Sequence, residues 1–105
     1  MVSIPRAVVY VDLDALESNY KTIKATVPSG VKVLCVVKSD AYGHGAVEVA
    51  RRLESVGVDW LAVATVDEGM ELRQSGITSP VLVLSGILPW DDVEPVFLNG
   101  LTPVV

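Results

Sequence analysis

The sequence predicts an α/β fold, a parallel sheet joined by crossover helices, and three observations carry that reading. Short apolar runs rich in β-branched residues recur along the 105 residues, at 31–37, 60–64, 80–84 and 101–105. Segments of roughly helical periodicity separate them. Turn formers punctuate the joints, among them Pro28-Ser29-Gly30, Gly57, Gly76 and Asn99-Gly100. A strand that must lie parallel to its predecessor needs a long return connection, and a helix is the usual one. Pattern alone leaves an open doubly wound sheet and a closed barrel equally in play.

Taken in order, residues 7–11 form a short β-rich run. Asp12 or Asp14 is placed to cap the segment that follows, in which Leu13, Leu16, Tyr20, Ile23 and Val27 recur at helical spacing. Residues 31–37 read as a strand covered on both faces, with Lys38 at its carboxyl end. The polar, glycine-rich turn Ser39-Asp40-Ala41-Tyr42-Gly43-His44-Gly45 comes next. A helix is expected over about 46–55, with Val47, Ala50 and Leu53 inward and Gly57 stopping it. Residues 60–64 form a strand, and 67–74 a helix whose acidic first turn suits the helix dipole. Residues 80–84 form the next strand, and Pro89 is placed to open a helix over 90–97. Residues 101–105 read as a further strand, although Pro103 weakens it by removing a donor.

Composition narrows the function. Half of the residues are hydrophobic and only 20% are charged, which is material for a core and not for a disordered segment. The formal net charge of -5, with few and scattered basic residues, argues against a nucleic-acid footprint. It does not exclude a single bound phosphate, which backbone N–H groups can hold. Cys35 stands alone in an apolar run, so no disulfide or metal set can be built on it, and a buried thiol is expected. No apolar stretch is long enough to span a membrane, and the start lacks the pattern of a signal peptide. A cytoplasmic location is therefore expected. The chain also stops in an apolar run after three or four βα units, whereas an eight-stranded barrel takes roughly 250 residues. It is expected to be the N-terminal portion of a larger enzyme.

Lys38 is the residue of most chemical interest. Parallel α/β folds bind ligands beyond the carboxyl ends of their strands, where Lys38 lies. An amine held among apolar walls is easier to deprotonate, and a neutral amine can attack an aldehyde to form a Schiff base. A strand-end lysine can equally point into solvent. Gly43 and Gly45 permit a tight turn and close ligand approach, or serve the turn alone. Tyr42 offers an aromatic face and a hydroxyl. His44, the only histidine, reads as a group hydrogen-bonded across the turn. The Walker and dinucleotide glycine patterns are absent, and Ser85 lacks the glycines of a nucleophile elbow.

The run Val36-Val37-Lys38-Ser39-Asp40-Ala41-Tyr42-Gly43-His44-Gly45 resembles the pyridoxal-phosphate attachment signature of bacterial alanine racemases. Val11-Asp12-Leu13-Asp14-Ala15-Leu16, Leu61-Ala62-Val63-Ala64, Asp67-Glu68-Gly69, Pro80-Val81-Leu82-Val83-Leu84 and Gly100-Leu101-Thr102 resemble the same family in step. The resemblance implies the N-terminal part of an eight-stranded (β/α) TIM-type barrel, incomplete in this chain. Residues 13–105 would belong to the barrel. Residues 1–12 would hold an N-terminal strand associated with a C-terminal domain outside the chain.

It further implies interconversion of L-alanine and D-alanine with pyridoxal 5'-phosphate. Lys38 would be both the Schiff-base lysine and one of two bases, and Tyr42 and Leu84 would border the cofactor. A homodimer is implied, because the second base, a tyrosine, crosses from the other subunit. So is a supply of D-alanine for peptidoglycan. The family pattern has Ala-Asn where this chain has Ser39-Asp40, which puts local hydrogen bonding in doubt. The second base and most phosphate contacts would lie downstream, so the 105 residues alone are expected to be inactive. A racemase for another amino acid, or a non-catalytic pyridoxal-phosphate-binding barrel protein, is the alternative. A bare α/β module that only binds a partner would expose apolar edges and associate.

Overall fold

The structure is a computed structural model that describes residues 8–105. Helix α1 (Leu13–Thr26) opens with Asp12, whose side chain accepts a 3.0 Å hydrogen bond from the Ala15 amide. Of the two candidate caps, Asp12 is therefore the cap, and Asp14 pairs instead with Arg52 at 2.7 Å. Tyr20 is buried, but Ile23, on the same face one turn later, is left exposed. No strand precedes α1 among the described residues. Residues 8–11 belong to no helix or strand and are exposed, and Ala7 lies outside the described residues.

Strand β1 (Leu34–Val36) leads into α2 (Lys38–Tyr42), a single helical turn, and then α3 (Ala46–Ser55). Helix α3 buries Ala46, Val49, Ala50 and Leu53. Val49 takes the inward place expected of Val47, because the buried stripe runs i, i+3, i+4 and i+7 from Ala46. Strand β2 (Trp60–Val63), helix α4 (Val66–Gln74) and strand β3 (Val81–Val83) follow. Helix α5 (Val93–Leu98) starts later than expected. Pro89 occupies a turn instead, closed by the Asp91 amide to the Leu88 carbonyl at 2.9 Å and by the Leu88 amide to the Asp91 carboxylate at 2.7 Å. A proline favours the second position of such a turn as readily as a helix start. Strand β4 (Leu101–Pro103) completes the sheet, and Pro103 lies on its edge, where a missing donor is tolerated.

The four strands are parallel and lie in the order β1-β2-β3-β4. Right-handed crossovers between consecutive neighbours put every crossover helix on one face. A doubly wound sheet would reverse its strand order and carry helices on both faces. The arrangement is thus the arc of a barrel wall. Cys35, Leu61, Val81 and Leu101 stand in one row of the register, and the last three pack against Leu53, Leu72 and Val96 of the helices. Gly69 lets α4 approach this row, since a side chain there would lie 3.0 Å from Leu101.

The next row, Val36, Ala62, Leu82 and Thr102, faces the other way. Here β1 departs from the expectation of cover on both faces. Val36 is 37% exposed while Val37, turned to the helices, is 2% exposed. The inner face of the arc has no covering layer among the described residues, so only the helix-facing side of β1 is dry. No helix among the described residues is long and apolar enough to cross a membrane.

Candidate active site at the carboxyl rim of the sheet

Two residues beyond the row of Val36, Ala62, Leu82 and Thr102 come Lys38, Ala64, Leu84 and Val104. The parallel register therefore aligns Lys38 and Leu84 at the carboxyl rim of the inner face. Three rim hydrogen bonds carry the ladder to this level. They run from the Val37 amide to the Ala62 carbonyl, from Leu84 to Val63 and from Val104 to Val83, at 2.8, 2.9 and 3.0 Å. Lys38 is half-buried and Leu84 is 41% exposed. The Lys38 amine has no ion pair or hydrogen bond among the described residues, so it is free to engage a ligand.

The turn after Lys38 winds the wrong way for L-residues. Ser39, Asp40, Ala41 and Tyr42 have φ values of 51°, 55°, 53° and 57°, so a full turn of left-handed helix is built without glycine. Each such residue costs roughly 1–2 kcal/mol, and the surroundings must hold the turn in place. Four contacts do so. Ala41 is buried, and its amide bonds the Val37 carbonyl at 2.9 Å. The Asp40 carboxylate accepts from the Ala46 amide at 2.8 Å, which satisfies an orphan donor in the first turn of α3. His44 Nδ1 lies 2.9 Å from the Ala41 carbonyl, the cross-turn bond expected of it. Glu68 Oε2 accepts from the Ser39 amide at 2.7 Å. Backbone strain of this kind is characteristic of functional loops. It carries Tyr42 one turn above Lys38 with its ring 61% exposed.

Of the expected residues Lys38, Tyr42 and Leu84, the register aligns Lys38 and Leu84 at one rim, and Tyr42 ends the turn that follows Lys38. Sequence reasoning passed over Glu68. The available signal was a capping box, Thr65-Val66-Asp67-Glu68, since a threonine followed three residues later by a glutamate marks a helix start. Glu68 closes that box and also reaches across to β1. Cys35 lies on the helix-facing side, half-buried, and burial first and Asp59 second push its thiol up, away from nucleophile chemistry.

A parallel barrel arc with a lysine at a strand's carboxyl end, beside a strained turn, defines a segment of a (β/α) barrel, the fold class whose ligand sites lie at that rim. A family model described as "Alanine racemase, N-terminal domain" matches residues 11–105, and the chain belongs to that family. The alanine racemase of Citrifermentans bemidjiense is 50% identical over 92 residues, 88% of this chain and 24% of that protein. That of Geobacter sulfurreducens is 48% identical over 89 residues, 85% of this chain and 23% of that protein. The solved alanine racemase of Clostridium difficile 630 superimposes with a TM-score of 0.82 at 48% identity, covering 89% of this chain and 24% of that one. The Bacillus anthracis alanine racemase with bound L-Ala-P gives 0.83 at 41% identity, covering 94% and 27%. The chain thus spans about a quarter of the length of the relatives it matches.

Proposed function

We propose that this chain carries the lysine half of a two-base alanine racemase that uses pyridoxal 5'-phosphate to interconvert L-alanine and D-alanine. The observation that carries the reading is the Lys38 amine, unpaired among the described residues, on the same rim as Leu84, within a chain that belongs to the racemase family. The residues present fit a flat aromatic aldehyde. A free amine is available to link to it, Leu84 offers an apolar surface, and Tyr42 offers an exposed ring. When bound, the cofactor supplies an electron sink for the substrate's α-carbon. Lys38 would hold the cofactor through its amine and would take or return a proton on one face of that carbon. Tyr42 and Leu84 border the cofactor and limit water around Lys38.

Racemisation needs a second base on the opposite face, assigned here to a part of the protein beyond these residues and to the other subunit of a homodimer. We assign residues 13–105 to the barrel and 1–12 to a leading segment outside it, supported by residues 8–12 entering α1 without pairing to the sheet. A cytoplasmic location belongs to the same reading.

The test is made on the chain completed to its relatives' length. The protein is incubated with pyridoxal phosphate, reduced with borohydride and mapped by peptide mass. Label on Lys38 is expected, together with racemisation of alanine faster than of serine or lysine. Absence of label on Lys38 overturns the reading. Label with faster turnover of serine or lysine reassigns the substrate, and label without turnover of any amino acid leaves a non-catalytic binder of the cofactor.

A further inference from the structure

We infer that Glu68 is a positioning residue for Lys38, an inference that rests on the function proposed above. Glu68 lies in the first turn of α4, and its carboxylate spans two strands. Oε1 accepts from the amides of Ala64 at 2.7 Å and Thr65 at 3.2 Å, at the end of β2. Oε2 accepts from the amide of Ser39 at 2.7 Å, at the end of β1. Ala64 lies one residue past β2 and Ser39 stands in the left-handed turn that follows β1, beyond the point where the ladder stops, and a carboxylate between them supplies the acceptors that the backbone lacks.

The Ser39 amide belongs to the peptide that leaves Lys38. The peptide that enters Lys38 is held on its other side, because the Val37 carbonyl accepts from Ala41. With both flanking peptide planes anchored, the Lys38 Cα–Cβ direction is fixed by the backbone and not by contacts of its own amine. That is how a lysine can stay unpaired and still be aimed. The same bond holds Ser39 in the left-handed region, where it would otherwise relax.

Glu68→Gln separates this role from plain helix capping. The amide keeps one carbonyl oxygen, which serves Ala64 and Thr65, but presents an NH2 group to the Ser39 amide, and two donors cannot bond. Thr65→Ala is the matched control. It removes the 3.3 Å bond from the Glu68 amide to the Thr65 hydroxyl and leaves the Ser39 contact in place. Both variants are made in the chain completed to its relatives' length.

For Glu68→Gln, kcat is expected to fall about 10²-fold, the scale of a small misplacement of a reacting group. KM for alanine should change far less, and the pH profile of kcat should shift on the limb governed by Lys38. Hydrogen exchange in the peptide spanning 37–44 should accelerate in the protein free of cofactor. Thr65→Ala should lower Tm as much as Glu68→Gln does, by no more than about 4 °C, with kcat within about twofold and exchange at 37–44 unchanged. Equal losses of kcat in the two variants would reduce Glu68 to a helix cap and overturn the inference, as would unchanged exchange at 37–44 in Glu68→Gln. These failures are distinct from failure of the functional reading, which is read from the borohydride label on Lys38 in the unsubstituted protein.

Discussion

At the amino ends of the strands, charged side chains are used up on backbone; at the carboxyl ends, Lys38 is spared. Arg73 bonds four carbonyls at once, those of Asn99, Ile77, Ser79 and Gly100, at 2.7–3.2 Å. Glu54 collects the amides of Thr78 and Ser79 and both of their hydroxyls. Asp59 takes the Val33 amide at 2.7 Å and pairs with Lys24. Each of these ties the start of one strand to a neighbouring element. The carboxyl rim has Glu68 as its cross-strand tie, and beside it a strained turn and an unpaired amine. The contrast shows how a barrel divides its labour, with stability built at one end of the strands so that the other can hold reactive, strained groups.

The sharpest way to break that comparison is to remove Lys38. In the chain completed to its relatives' length, Lys38→Ala should cut racemisation by at least about 10³-fold, since under the proposed function it removes both a base and the covalent anchor. Tm should stay nearly constant, because the Lys38 amine has no partner among the described residues to lose. A large fall in Tm, or a merely modest fall in rate, would show that the carboxyl rim is structural too.

Arg73→Ala is the reverse experiment. It strands several backbone carbonyls, and a fork of five donors is what reaches them all, so even lysine would not substitute. Burial, the main influence on Arg73, works against its charge, and the nearby Glu54 carboxylate and the four carbonyl bonds act in its favour. A loss of about 2–4 kcal/mol is expected in denaturant unfolding, with kcat per folded molecule nearly unchanged. A selective loss of kcat would mean that the amino rim reaches the chemistry.

Much of this contrast was legible in the sequence, but unevenly. The alternation of apolar runs and helical stripes located each crossover helix and each paired strand, since periodicity follows directly from which face is buried. The signature from Val36 to Gly45 located Lys38. The hand of the turn was not legible, because four non-glycine residues argue against a left-handed helix when read one at a time. It exists because Glu68, Asp40 and His44 hold it, and all three bonds join residues non-adjacent in sequence, the Glu68 bond across 29 positions. The exposure of Val36 was hidden for a similar reason. A β-branched run looks the same whether its second face meets other strands or nothing.

The Glu54 contacts sharpen the comparison through pH. Burial acts on Glu54 to raise its pKa, but the hydrogen bonds from Ser79 and Thr78 outweigh burial and hold the carboxyl below its ordinary value. A folded value below the unfolded one stabilises the protein fully above the unfolded value, about 4.3, and loses that increment as pH falls through the lower folded value. The stability gap between the unsubstituted protein and Glu54→Gln should therefore be widest near neutral pH and close in acid. A gap independent of pH would show that the ionised form is not what the backbone of 78–79 binds.

The smallest effect is expected at Asp40. The Asp40 contact is an acceptor contact, from Oδ1 to the Ala46 amide at 2.8 Å, and asparagine offers an acceptor oxygen in the same place. What aspartate adds is charge at the start of α3, worth about 0.3–1 kcal/mol at low ionic strength and screened by salt. Asp40→Asn should accordingly cost a few tenths of a kcal/mol, fading as salt is raised, with racemisation unchanged. Asp40→Ala leaves the Ala46 amide without its partner and should cost about 1 kcal/mol at any salt. If Asp40→Asn instead changed the rate strongly, the charge beside the left-handed turn would be acting on Lys38. The carboxyl rim would then be tuned as well as held.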